Sequence, residues 1–322
     1  MQHKVIYKNH MDIPWHDYIN HTDLAITESS LAEKASVIGR TGIMLLSCGT
    51  GAWRVRTSMD KLSVLLGITC TADIGLLSIE YTCFDGQKSF TQVLCLTSTG
   101  VNTSKLNRLE KFVDDFRMNG LEKTGEELHA ALDEIEQIHA LYTPTTLGLA
   151  AAVACGAFTF LLGGGPIEML CAFFGAGIGN YVRVKMSAKH LTLFLCITVS
   201  VSLACLIYAC LLKSAEYLFA VSIQHEAGYI CAMLFVIPGF PFITSGIDFA
   251  KLDMRSGIER LAYALLIVFV ATLAAWVMAM LLHLQPVGFL PLNLSAGEFI
   301  VFRLLASFCG VFGFSIMFNS SV

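Results

Sequence analysis

Polar and apolar positions follow helical and then strand spacing over the first 140 residues, and give way to long apolar runs beyond Thr143-Pro144. Ser30 and Glu33 stand at capping-box spacing and open a helix through about Leu46, with Leu31, Ala35, Ile38, Gly42 and Leu45 on one face. A second helix from about Ala52 to Leu66 carries Trp53, Met59, Leu62 and Leu66. The period then changes. Leu76 to Phe84 and Ser89 to Thr97 are rich in β-formers, and Asp85-Gly86 between them signals a hairpin. Helical spacing returns with Leu106, Leu109, Phe112, Val113 and Phe116, and again with Leu128, Leu132, Ile135 and Ile138. The pattern predicts an α+β domain over residues 29–142, behind a polar and poorly ordered lead over 1–28. A domain of about 110 ordered residues is long enough to bury its own core.

After Thr143-Pro144 come six apolar segments near the length of about 20 residues that crosses a bilayer. They run approximately over 145–163, 166–182, 191–212, 227–247, 261–282 and 299–318. The second is short and begins with Glu168, and the sixth carries Arg303 close enough to its start to snorkel. The expected fold is an α-helical polytopic membrane protein with an N-terminal α+β soluble domain, residues 143–322 holding five to six transmembrane helices.

The fourth segment is apolar enough to cross a bilayer, yet its stretch LFVIPGFPFITSGID, Leu234 to Asp248, holds Pro238, Gly239 and Pro241. Proline removes a backbone donor and clashes with the preceding turn, so a break or kink is expected here. Broken helices at mid-membrane are costly unless the freed groups line a protein-enclosed cavity, as they do in transporters. The segment reads either as a transport site or as a structural kink.

Composition strengthens the membrane reading. Apolar residues make up 55% of the chain and charged residues 14%, against a soluble norm of roughly 45–50% and 25%. Residues 1–140 carry 13 Lys/Arg and 18 Asp/Glu, leaving 8 and 7 for the rest. A net charge of −4 with no basic run argues against nucleic acid as a partner. Arg183, Lys185 and Lys189 follow segment two, and Lys251, Arg255 and Arg260 follow segment four, which by the positive-inside rule places both loops and the N-terminal domain in the cytoplasm. The N-terminus has no signal-peptide h-region. The eleven cysteines show neither a C-x-x-C pair nor zinc-ligand spacing, and read as small buried residues in a reducing compartment, with no disulfide, metal or cofactor assigned.

Few residues suggest chemistry. Thr244 and Asp248 share a helical face if the helix resumes after Pro241. Asp248 either holds a proton, coupling ion or substrate ammonium, or is an interfacial acid paired with Lys251 or Arg255. Asn180, behind the small residues Gly175, Ala176, Gly177 and Gly179, is a packing hydrogen bond or a cavity group on a helix-packing face. Arg54 and Arg56 beside Trp53 are a docking patch or ordinary salt-bridge partners. No nucleophile elbow, phosphate-binding loop or H-E-x-x-H is present, so no catalytic residue is assigned and the chain is not read as an enzyme.

Taken together, GRTGIMLLSCGTGAWRVRTSM, GVNTSKLNRLEKFVDDF with LHAALDEIE, FLLGGGP, and above all VIPGFPFITSGIDFAKLDMRSGIERL resemble the threonine/serine exporter family of bacterial membrane proteins, over about Leu31 to Leu282. The resemblance implies a cytoplasmic N-terminal domain, five spans, and secondary export of small polar amino acids from the bacterial inner membrane, coupled to an ion or proton. Related two-component systems are proposed for dicarboxylates such as succinate. The family signature falls on Pro238, Gly239, Pro241, Asp248, Gly257 and Arg260, and the expected substrate or ion path is Pro238, Gly239, Pro241, Thr244, Asp248, Arg260 and Asn180. Ser47 and Arg56 stand where family members commonly have Glu, which argues against an acid-dependent hydrolase. FCGVFGFSIMFN resembles the opening helix of the family's second half, so the expected partners are the lipid bilayer, the substrate, and a second five-span subunit or further copies of this chain. The competing reading is a membrane-anchored cytoplasmic enzyme or regulatory module.

Overall fold

The computed structural model describes residues 13–19, 24–138, 140–219, 223–284, 288–289 and 292–321. The chain divides into two compact units, one of residues 1–139 with 239–262 and the other of 140–238 with 263–322.

The first unit begins with helices α1 (Leu31–Ser47) and α2 (Ala52–Leu65). An antiparallel sheet follows, with β1 (Thr69–Ile74), β2 (Ser78–Phe84) and β3 (Ser89–Cys95) in the order 1-2-3, and then α3 (Thr103–Asn119) and α4 (Gly125–Glu136). Local chemistry sets the ends of these elements. Ser30 Oγ accepts from the Glu33 amide, and Thr124 with Glu127 forms a reciprocal capping box that opens α4. Asp85 Oδ1 accepts from the amides of Gln87 and Lys88 while Gly86 takes φ +97°, closing the expected hairpin. Strand β1 is additional to the sequence reading: its inward residues are Cys70, Ala72 and Ile74, two of them too small to give a strong alternating signal. Sheet and α1 share one core in which Tyr81 is fully buried and donates to the Ala35 carbonyl at 3.0 Å. A Cβ on Gly39 would lie 2.2 Å from the Tyr81 hydroxyl, so this close approach requires glycine.

Of the polar lead, residues 1–12 and 20–23 lie outside the described residues. Its described part forms short 3-10 turns at Trp15–Tyr18 and Ile26–Glu28, and Ile26 is fully buried in the core. The unit also takes in α8 (Gly239–Ala250) and the first turns of α9 (Met254–Leu281), which the sequence pattern groups with the membrane segments.

The second unit holds α5 (Pro144–Leu161), α6 (Pro166–Ala188), α7 (Leu193–Phe219), a 3-10 stretch Ile223–Val236, the rest of α9, and α10 (Ala296–Met317). Among the described residues, α5, α7, α9 and α10 are long and apolar enough to cross a membrane, or five spans if 228–236 and 239–250 count as one broken span. The second expected span, α6, does not qualify. It is 23 residues long but carries Glu168 inside its first turn and Arg183 and Lys185 toward its end. The architecture is that of a polytopic helical membrane protein. Small residues set the helix spacing, since a Cβ on Gly175 would lie 2.8 Å from the Ala204 carbonyl and one on Gly179 2.9 Å from that of Ser200. Along α10, by contrast, Ile300, Leu304, Phe308 and Val311 are exposed, as the lipid-facing side of a span would be.

Candidate functional site

The fourth apolar segment breaks at Ile237 and Pro238, between the 3-10 stretch and α8. Pro238 ends the first piece and is buried. Pro241 lies in the first turn of α8, where an amide has no intrahelical acceptor and its loss costs little. It therefore helps to start the helix rather than kink it. A 3-10 run of 14 residues is itself far longer than the usual three or four.

Asp248 lies in the last turn of α8 and is completely buried. Its Oδ2 accepts from Ser256 Oγ at 2.8 Å and from the Ala52 amide at 3.2 Å, and stands 3.2 Å from Arg260 Nε. Arg260, also buried, donates through Nε to Ser256 Oγ at 3.0 Å. Its other two nitrogens donate to the carbonyls of Gly49 at 3.1 Å and Thr50 at 2.6 Å. The Gly49–Gly51 turn fits this arrangement. Gly49 takes φ +82° after the end of α1, and Gly51 is the side-chain-free N-cap of α2. A Cβ on Gly51 would lie 2.8 Å from Asp248 Oδ1. Asp248 thus stands in for the missing cap, its charge facing the positive end of the α2 dipole.

One atom of this network is left over. Asp248 Oδ1 is buried without a hydrogen-bond partner, a costly state for a carboxylate oxygen. The acid's pairing is with Arg260 rather than with Lys251 or Arg255. Lys251 lies over the Trp53 ring, and Arg255 pairs with Asp73 and Glu259. Thr244 is buried on the same helix and bonds back to the Phe240 carbonyl at 3.1 Å, and the neighbouring Ser245 donates to the Gly257 carbonyl at 2.8 Å. Both arginines beside Trp53 are in ion pairs, Arg54 with Glu110 at 2.9 Å and Arg56 with Asp253. Glu259, which sequence spacing did not single out, accepts from the Leu76 amide at 2.6 Å.

Asn180 belongs to the second unit. Its amide nitrogen donates to the Leu147 carbonyl at 2.8 Å and its oxygen accepts from Arg183 Nε at 3.0 Å, tying α6 to α5. That unit also contains an open groove of about 760 Å³ lined by Phe160, Met169, Phe173, Leu294, Phe302 and Leu305. A lining so apolar offers no partner to a charged solute. No group of three or more His, Cys, Asp or Glu suited to a metal ion is found among the described residues.

No solved structure matches the chain. A curated relative from Escherichia coli (strain K12), named "Probable succinate transporter subunit YjjP", is 27% identical over 248 residues, covering 74% of this chain and 90% of that protein. The family described as "Putative threonine/serine exporter" matches residues 36–283, spanning the α1–α2 turn, the broken segment and the Asp248–Arg260 pair. On that match, the chain belongs to the threonine/serine exporter family.

Proposed function

We propose that the chain is one component of a secondary exporter of small polar amino acids of the threonine or serine type, driven by an ion or proton and working with a second membrane subunit. The observation that carries the substrate class is the unpartnered Oδ1 of the fully buried Asp248, beside the guanidinium of Arg260. A zwitterion presents an ammonium that would satisfy the free carboxylate oxygen and a carboxylate that would compete for Arg260. Thr244, Gly239 and Pro241 lie on the same short helix and belong to the proposed path. Family membership supports export, and the relative's designation as a subunit supports a partner. The basic loops support a cytoplasmic placement of residues 29–142 in a bacterial inner membrane.

A dicarboxylate such as succinate is the second reading, favoured by the relative's name. Two carboxylates would meet Asp248 with like charge, so this reading needs Asp248 protonated or outside the path. Counterflow of labelled threonine, serine and succinate into vesicles, with the chain alone and with a five-span companion, separates the readings. Threonine or serine exchange that needs both components and is lost in Asp248→Asn at normal membrane abundance is expected. Succinate exchange unaffected by Asp248→Asn would overturn the amino acid reading.

A further inference from the structure

Cys70 and Cys83 are direct cross-strand partners in the β1–β2 ladder. Both point to the inner face of the sheet, where Cys83 is buried, Cys70 is half-buried, and Phe90 on β3 flanks Cys83 on its other side. Directly opposed residues on antiparallel strands hold their Cβ atoms about 4.5–5.5 Å apart, close to the ~3.5–4.5 Å of a disulfide. Both residues are free thiols. No other cysteine pair stands in register within the sheet: Cys95 is opposite Ser78.

We propose that Cys70 and Cys83 are a reversible oxidation site, forming a cross-strand disulfide on exposure to a peroxide. The two thiols are chemically unequal. Cys70 is held below the ordinary thiol range by the Cys83 side chain opposite it, against burial and the nearby Asp60 carboxylate. Cys83 is pushed up by the Cys70 side chain and by burial. Cys70 is also the more accessible, so it is the attacking sulfur. Its thiolate attacks one peroxide oxygen, the O–O bond breaks, water leaves after protonation, and Cys70 becomes a sulfenic acid. The Cys83 sulfur then attacks the Cys70 sulfur, the S–S bond forms, and hydroxide leaves with the Cys83 proton as a second water. Two thiols are oxidised and one peroxide is reduced to two waters. In a reducing compartment, thiol exchange reverses the bond.

The consequence is local to a strand that carries other contacts. Between Cys70 and the following turn, Ala72 accepts from Arg56 Nε, Asp73 pairs with Arg255, and the Leu76 amide donates to Glu259. A disulfide would fix the strand that makes these contacts.

The test uses the full chain in detergent, reduced, freed of reductant and titrated with hydrogen peroxide. Non-reducing proteolysis and mass spectrometry follow the products. The expected result is that the Cys70–Cys83 cross-linked peptide is the first disulfide to appear, lacks two hydrogen masses, and disappears with dithiothreitol. In Cys70→Ser, Cys83 should stay fully alkylatable at the same peroxide dose. The proposal is overturned if both residues remain alkylatable in the wild type while other cysteines oxidise, or if Cys70 proceeds to sulfinic acid without cross-linking. The wild-type map decides even if the variant fails to fold.

Discussion

Arg260 Nε stands 3.2 Å from Asp248 Oδ2, with both side chains buried and the rest of the guanidinium given to the carbonyls of Gly49 and Thr50. The pair therefore joins the α8–α9 hairpin to the α1–α2 turn, in addition to any contact with a solute. Removing one partner leaves a buried charge uncompensated, which typically costs about 3–5 kcal/mol, whereas removing both charges is far milder. Arg260→Ala is expected to lower thermal stability in detergent more than the double variant Asp248→Asn with Arg260→Ala. Additive losses in the double-mutant cycle would show that the two charges are not coupled.

Gly51 tests the same site sterically. Its φ of −68° suits any residue, so Gly51→Ala carries no backbone strain and adds one methyl group 2.8 Å from Asp248 Oδ1. Overpacking of this kind costs about 1–3 kcal/mol. A lower melting temperature is expected for Gly51→Ala, whereas Gly67→Ala should respond through its positive φ alone, because nothing lies within reach of its added methyl. Unchanged melting of Gly51→Ala would mean that the carboxylate is free to move away.

Much of this was legible from sequence, and the remainder has identifiable causes. Ser30 with Glu33 and Asp85-Gly86 are local signals, because the side chain that ends or turns the element lies within three residues of the backbone it bonds. Asp248 and Arg260 stood out through the family signature. Their partners did not, because Gly49 and Thr50 contribute only backbone carbonyls about two hundred residues away. Arg260 was passed over as the mate of Asp248 in favour of nearer cations, yet the tight turn between α8 and α9 folds the second helix back and brings position 260 beside 248. The buried Ser36–His129–Arg40 network had no sequence signature at all.

His129 sets a pH dependence. Its ring meets Ser36 at 2.9 Å and Arg40 at 3.3 Å, with His16 and Asp133 nearby and Trp15 stacked against it. Burial first, then the charge of Arg40 and of His16, push its pKa down to about 4, against the opposite pull of Asp133. The neutral ring is favoured in the folded state, so between the unfolded value near 6.5 and about 4 the unfolded chain binds more protons. Stability is expected to fall as pH drops through that window, by about 3 kcal/mol in all, taking ~1.4 kcal/mol per unit. His129→Gln should flatten that part of the melting profile. Asp133, held below the ordinary carboxylate range by Arg40 and His16 despite burial, acts only at lower pH. An unchanged slope in His129→Gln would assign the effect to another group.

The two outer ion pairs of the α8–α9 hairpin should differ in worth although their geometry is similar. Arg255 and Asp73 have side chains 51% and 56% exposed, so water and salt screen them, and exposed pairs contribute about 0–1 kcal/mol. Asp253, which pairs with Arg56, is only 9% exposed and keeps Oδ2 buried without a partner. Arg56→Ala would strand that carboxylate, while Arg255→Ala leaves Asp73 in water. Thermal unfolding at low and high salt is expected to rank Arg56→Ala well below Arg255→Ala, with only the Arg255 effect shrinking as salt rises. Equal, equally salt-sensitive losses would show that Asp253 is solvated in solution, and that the hairpin is held by the Asp248–Arg260 pair rather than by its flanks.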